Sequence, residues 1–410
     1  MNRYNLKEFV NKQINESNSK CTMLGIGPMS VNLIRASLEL ANEKNFPVMY
    51  IASRNQVDDD ELGGGYVNGW NAKRFVEDIN SIATKIGFKG CFYICRDHGG
   101  PWQRDNERNA KLSREEAMEL AKKSYAKDIE AGFDLLHIDP TKIPDCGPIA
   151  PMDSVLDMTI ELIEFCEQQK EKIGKKEIFY EVGTEETNGG LTNKESFETF
   201  IKILKDRLEA KKLPLPIFIV GQTGTLVKMT NNVGYFNSDQ AFALSEIAKK
   251  YGIGLKEHNC DYIPTKDLCK HPLLSVTASN VAPEYGFVET CALLDLCEVE
   301  DEALKQGFID KSSNLYNIML EESIACGRWK KWILKPEDQI NFNDKDEAIN
   351  ILHLAGHYTF NNERVINARK EMYDNLEKCG INNPNQYVLD ALKNNLNKYI
   401  SSFNLKDSLK

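Results

Sequence analysis

Only six histidines occur in the chain, and three of them, His98, His137 and His258, stand with carboxylates at the ends of short apolar runs. Arg96, Asp97 and His98 precede Gly99 and Gly100, His137 is followed by Asp139, and Glu257, His258 and Asp261 close a later run. Imidazoles with neighbouring carboxylates suit a divalent cation; nitrogen-rich ligation favours zinc, and oxygen-rich ligation favours magnesium or manganese. His98 and His258 are the expected ligands. Glu185 is the candidate third, or a second proton-transfer group beside Asp97, the candidate general acid or base. Adjacent residues at a strand end point to different sides, so one of the Asp97–His98 pair can face an ion while the other reaches a substrate. The competing readings are a histidine that only hydrogen-bonds a hydroxyl or loop carbonyl, and an Asp97 carboxylate bonded to loop amides.

Other polar groups at run ends are candidates for holding a small ligand: Asn55, Gln56, Arg96, His137, Asp139, Gln222, Asp261 and Asn280. For Asp139 and Asp261 a structural role stands level with a binding one. Glu181 and Glu186 read as structural, and His271, His353 and His357 as structural or partner-facing. The segment RNQVDDDELGGGYVNGW carries Gly63, Gly64 and Gly65, which could cradle an anion with their amides or simply form a flexible surface loop. In GRWKKWI, two tryptophans three residues apart on a helix would anchor it to a core or a subunit face.

To bring these residues together the chain needs a scaffold with converging strand ends. Eight β-rich runs alternate with helical stretches: CTMLGIG, PVMYIAS, CFYICRD, FDLLHID, IFYEVGTE, PIFIVGQ, IGLKEHN and LLSVTAS. Segments such as SREEAMELAKKSYAKDIEAGF and SFETFIKILKDRLEAKK repeat apolar residues at three- and four-residue steps and end near Gly or Pro. Eight such strands with crossover helices predict a closed (β/α)₈ TIM barrel over residues 1–300, with its site at the C-terminal strand ends. From Asp301 the alternation stops, and residues 301–410 read as a C-terminal helical extension whose polar end, SSFNLKDSLK, is expected to fray.

Composition narrows the partners. The 51 basic and 61 acidic residues give a net charge of −10 with no basic cluster, which argues against nucleic acid. No apolar run is long enough to span a bilayer and the polar start does not resemble a signal peptide, so a cytoplasmic protein is expected. The 11 cysteines show no CxxC pair and are expected to be reduced, mostly buried thiols.

Several stretches together resemble the accessory, Z-type subunit of class II D-tagatose-1,6-bisphosphate aldolase: SRNQVDDDELGGGY, RDHGGPWQ, AGFDLLHIDPT, YEVGTEE, KEHNCDY and NVAPEYGFVET, in order over most of residues 20–300. The resemblance implies a barrel related to zinc-dependent class II aldolases. In those relatives an Asp-His pair supplies an acid/base carboxylate and a metal ligand, and Asp97 and His98 match it. Accessory members are non-catalytic partners that stabilise a separate aldolase subunit, while other relatives epimerise ketoses with a metal. Gly-Gly-Pro-Trp after His98, Thr-Glu-Glu in the fifth run and a longer acidic second loop depart from the accessory pattern. Two functions are therefore expected in competition. One is a metal-dependent epimerase or aldolase acting on a ketose or ketose phosphate through an enediolate. The other is a non-catalytic subunit in a hetero-complex with a catalytic aldolase; a homo-oligomer is compatible with either.

Overall fold

The computed structural model describes residues 5–16, 20–146, 150–184, 190–333 and 336–409. Its strands are β1 (Met23–Ile26), β2 (Val48–Ser53), β3 (Phe92–Gly99), β4 (Leu135–Ile138), β5 (Phe179–Val182), β6 (Phe218–Val220), β7 (Val227–Lys228), β8 (Asn231–Asn232), β9 (Gly254–Glu257) and β10 (Val276–Val281). β1 to β6, β9 and β10 pair in parallel in that order, and β10 closes back onto β1. The eight expected runs are thus the eight staves of a (β/α)₈ barrel. β7 and β8 form a small antiparallel hairpin in the loop after β6.

Burial on both faces explains why the strands read as continuous apolar runs rather than alternating ones: all four residues of β1 and five of the six in β2 are buried. The covering helices carry the expected end signals. Helix Arg114–Ala131 starts at a Ser113–Glu116 capping box and stops at left-handed Gly132, and helix Lys194–Ala210 is capped by the Asn193 side chain. An additional helix, Leu6–Asn15, precedes β1 and buries Leu6, Phe9, Val10 and Ile14.

The extension is helical as expected, with helices Leu315–Cys326, Lys345–Ala355, Glu363–Lys378 and Asn385–Ser402. It does not stand apart from the barrel. Position 300 falls inside helix Pro283–Lys305, and Leu315, Leu352, Leu376, Leu389 and Leu396 belong to the same apolar cluster as Met49 and Leu135. The last residues are docked rather than frayed. Phe403 and Leu405 are fully buried, the Phe403 carbonyl accepts from Thr22 N–H at 3.0 Å, and Asp407 N–H donates to Lys44 at 2.9 Å. Three buried apolar side chains, Phe403, Leu405 and Leu409, hold this otherwise polar tail against the barrel, since burying each stabilises by about 1.5–3 kcal/mol.

Candidate metal centre at the barrel mouth

β3 sets the geometry. Beyond Arg96 its register with β4 shifts, and His98 takes a left-handed conformation with φ 42°. The two glycines that follow are required by space: a Cβ at Gly99 would lie 2.5 Å from the Tyr125 hydroxyl, and one at Gly100, with φ 120°, 2.8 Å from the Asp139 carbonyl. The kink has a consequence that strand alternation does not predict. Asp97 and His98 both line the same cavity instead of facing opposite sides.

Here three imidazoles meet. Ring centroids of His98, His137 and His258 lie 4.7–5.2 Å apart. His98 Nδ1 is 2.6 Å from Asp139 Oδ2, and His258 Nε2 is 2.9 Å from Glu181 Oε1. A carboxylate only accepts, so each of these nitrogens carries the hydrogen. With both rings neutral, His98 Nε2 and His258 Nδ1 then present lone pairs to each other across 3.0 Å. Two facing acceptors repel unless a proton on one ring or a metal cation lies between them.

A tetrahedral zinc with bonds of about 2.0–2.1 Å holds its ligand atoms roughly 3.3–3.4 Å apart, close to that separation. The carboxylate behind each ring is the outer-shell arrangement that orients metal-binding histidines. The residues therefore fit a divalent ion held by His98 and His258. Candidate donor atoms of His98, His137 and His258 lie within 4.8 Å of one another, as do those of Asp97, His137, Glu181 and His258. His137 itself is turned to another task. Its Nδ1 accepts from His98 N–H at 3.1 Å, leaving the hydrogen on Nε2, which is buried without a partner among the described residues.

Charge around the centre is arranged in layers. Deep in the barrel Lys256 Nζ donates to Glu181 Oε2 at 2.5 Å, both fully buried. Burial would raise the Glu181 carboxyl, but Lys256, His137 and His258 hold it below its ordinary value. Burial, reinforced by the His98 ring, lowers the pKa of His258 against Asp97 and Glu181 and so favours its neutral form. Asp97 is also buried, yet the imidazoles of His98 and His258 keep it well below the usual carboxylate range. Asn280 Nδ2 donates to its Oδ1 at 3.0 Å. Asp97 is thus an ionised acceptor at the cavity wall.

The cavity, about 230 Å³, is lined by the predicted residues Asn55, Gln56, Asp97, His98, His258, Asp261 and Asn280. Asp261 uses Oδ1 to accept from the N–H groups of Ala282 and Glu284 at the start of helix Pro283–Lys305. Asp139 and His137 act from behind, on His98. Gln222 is buried at the end of β6, with its N–H donating to Thr192, and does not line the cavity. Glu185 and Glu186 lie outside the described residues.

Arg96 needs correction as a ligand-binding residue. It points out of the barrel wall, where Asp128 pairs with its Nε and Nη2 at 2.7 and 2.6 Å and the Ala52 and Val57 carbonyls take Nη1. The inward-facing neighbour, Asp97, takes the mouth. Glu181, read as structural, instead sits at the heart of the cluster. The amides of Gly63 and Gly64 are not free to cradle an anion: they donate to the Asp60 and Asp59 carbonyls at 3.1 and 2.9 Å, while a Cβ at Gly65 would overlap the Gln56 backbone at 1.9 Å.

Sequence reasoning also missed the roof. Arg328, Lys331, Trp332, His357 and Tyr358, all from the extension, line the cavity. GRWKKWI forms a tight 3₁₀ turn, Arg328–Lys331, in which Trp329 is the anchor, buried with Ile351, Leu354 and Ala355. His357 is 5% exposed with neither ring nitrogen partnered among the described residues, and burial together with Lys331 and Arg328 lowers it to about 3. The mixture of basic and aromatic residues in GRWKKWI was the available signal; which face meets the mouth depends on the fold.

No curated protein matches the sequence. Among solved structures, one described as a probable tagatose 6 phosphate kinase from Sinorhizobium meliloti 1021 superposes with a TM-score of 0.74 at 20% identity, covering 93% of this chain and 100% of that one. A glycerol-complexed fructuronate-tagaturonate epimerase from Cohnella laeviribosi reaches 0.59 at 11% identity, covering 94% and 82%. Fructose-bisphosphate aldolase from Campylobacter jejuni reaches 0.56 at 12%, covering 98% and 94%. At these identities the likeness shows the barrel fold. The family profile described as D-tagatose-1,6-bisphosphate aldolase subunit GatZ/KbaZ-like matches residues 6–403, barrel and extension together, and the chain belongs to that family.

Proposed function

We propose that the chain is a metal-dependent enzyme of carbohydrate metabolism, an epimerase or aldolase acting on a ketose or ketose phosphate through an enediolate. One observation carries this reading: His98 Nε2 and His258 Nδ1 face each other at 3.0 Å, each ring backed by a carboxylate. A divalent ion, zinc by the nitrogen-rich donor set and otherwise manganese or magnesium, would supply stabilisation of negative charge developing on substrate oxygens. Asp97, ionised and at the cavity wall, removes or returns the proton at the hydroxyl or carbon. Asn280 orients that carboxylate, while Asn55, Gln56 and Asp261 position the sugar. The 11 unpaired cysteines suit a reducing compartment, the cytosol.

The test is metal analysis of the purified chain followed by proton exchange from heavy water into a panel of ketoses and their phosphates. Metal at one per chain and exchange abolished by a strong chelator are expected, and Asp97→Asn should slow exchange by about 10²–10⁴-fold with the metal retained. Full exchange in the presence of the chelator would refute the reading. A second reading, a non-catalytic subunit stabilising a catalytic aldolase, is favoured by the family's own description as an aldolase subunit. It predicts a stable hetero-complex, no exchange by the isolated chain, and loss of partner activity when this chain is withheld.

A further inference from the structure

A second cavity, about 320 Å³, lies beside the mouth and shares Met29, Tyr66 and His357 with it. Helices Val31–Lys44, Pro283–Lys305, Glu363–Lys378 and Asn385–Ser402 each contribute to its wall, and the sugar chemistry proposed above makes no use of it. The wall holds a buried carboxylate, Glu289, which is 1% exposed. Ser30 Oγ donates to its Oε2, and Asn32 Nδ2 donates to its Oε1 at 2.9 Å. Asn32 and Asn385 exchange amide hydrogen bonds at 3.1 Å, and the Tyr373 hydroxyl donates to Asn385 Oδ1 at 3.0 Å. One chain of hydrogen bonds from all four helices thus fixes the carboxylate in place. No cation closes an ion pair with it among the described residues, and burial outweighs Ser30, Asn32 and Arg369 to hold the Glu289 carboxyl above its ordinary value. Arg369, half-buried, lines the same cavity and makes no hydrogen bond or ion pair of its own among the described residues. The gap between the two is therefore wider than a contact, yet short enough for one charge to act on the other.

We propose that this cavity is a binding site for a free α-amino acid, with the ammonium group on Glu289 and the carboxylate on Arg369. Each Glu289 oxygen has one acceptor position filled and keeps another for an ammonium N–H. The guanidinium offers paired N–H groups in the geometry a carboxylate matches. A zwitterion carries both charges one carbon apart and so bridges the gap that the two side chains leave open. Other ligand classes fit less well. An anion alone meets a fixed buried carboxylate, a cation alone meets the guanidinium, and a neutral polyol leaves both charges uncompensated. His357, 5% exposed with both ring nitrogens unpartnered among the described residues, adds a further polar group to the wall. The volume stands at the lower end of the roughly 300–1,000 Å³ usual for small-molecule sites, which suits one amino acid. Because Glu289 and Arg369 lie outside the strand-end cluster, the site stands or falls independently of the metal-dependent reading.

The test is a thermal-shift screen of the full-length chain against each standard L-amino acid, followed by calorimetric titration of the strongest binder and of its α-amide, which lacks the negative charge. At least one amino acid should bind with a Kd below about 5 mM, and its α-amide should bind at least about tenfold more weakly. Glu289→Gln and Arg369→Met should each weaken the amino acid by at least about tenfold, with Arg369→Lys between Met and wild type and zinc affinity unchanged in all three. Free amino acids also ligate metals, so His98→Ala/His258→Ala is titrated in parallel and should bind like wild type. The site is overturned if no standard amino acid reaches that affinity, or if the α-amide binds within that factor of the amino acid, a comparison that needs no variant to fold. It is equally overturned if both charge variants keep wild-type affinity, or if the histidine double variant loses binding, which would place the ligand at the metal centre.

Discussion

In Asp139→Asn the side chain keeps its shape and loses its charge, which probes the tautomer argument at the metal centre directly. Asp139 Oδ1 accepts from the Thr141 N–H and hydroxyl at 3.3 and 2.5 Å, and Oδ2 faces His98 Nδ1 at 2.6 Å. An asparagine keeps its oxygen on Thr141, whose amide can only donate, and therefore turns its NH₂ towards His98. Two donors cannot face each other at that distance, so His98 must move its hydrogen to Nε2 and lose the lone pair aimed at His258. Losing an outer-shell partner of a metal-bound histidine costs about 10–100-fold in affinity, or about 1.4–2.7 kcal/mol. Zinc affinity measured by competition with a chromogenic chelator should fall by that factor, while circular dichroism and thermal unfolding of the metal-free protein confirm the fold. A folded Asp139→Asn protein binding zinc within twofold of wild type would refute the assignment of the two facing lone pairs.

Arg96→Met should destabilise by about 3–5 kcal/mol in urea, since it strands the buried Asp128 carboxylate, and should leave zinc affinity unchanged; Arg96→Met/Asp128→Leu should recover much of the loss. Asp261 is raised to about 7 by burial and by Glu284, against about 3.9 unfolded. The folded state then binds the extra proton, so this contribution to stability is fully present below pH 4 and is lost as pH rises through 7, at about 1.4 kcal/mol per unit. Urea unfolding at pH 5 and pH 8 should show a steeper loss in wild type than in Asp261→Asn, and equal losses would count against it. Phe403→Ala should cost about 3–5 kcal/mol by the same assay, because its ring is fully buried against His271 and Tyr399; a surface-like value below 0.5 kcal/mol would mean the tail is not docked.

The architecture was legible because its signals are local. Apolar runs of strand length, helical periodicity between them, caps such as Ser113–Glu116 and stops such as Gly132 all depend on a few neighbouring residues, and together they determine a (β/α)₈ barrel with its polar groups at one end. The sequence by itself also brought Asp97, His98 and His258 to one mouth, since strand ends in this fold converge. What it left undecided was direction. Arg96 and Asp97 are equally polar neighbours, and only the pleat of β3 sends one to Asp128 outside and the other to the cavity. Glu181 and Lys256 stand out as lone charges in buried strands, but β5 and β9 are separated by β6, so their pairing exists only once the barrel has closed. The roof is the clearest case. Arg328 and His357 lie far along the chain from His98, and no local pattern says which face of a helical extension will cover which end of a barrel; long-range packing decides that, and with it which charges meet the ligand.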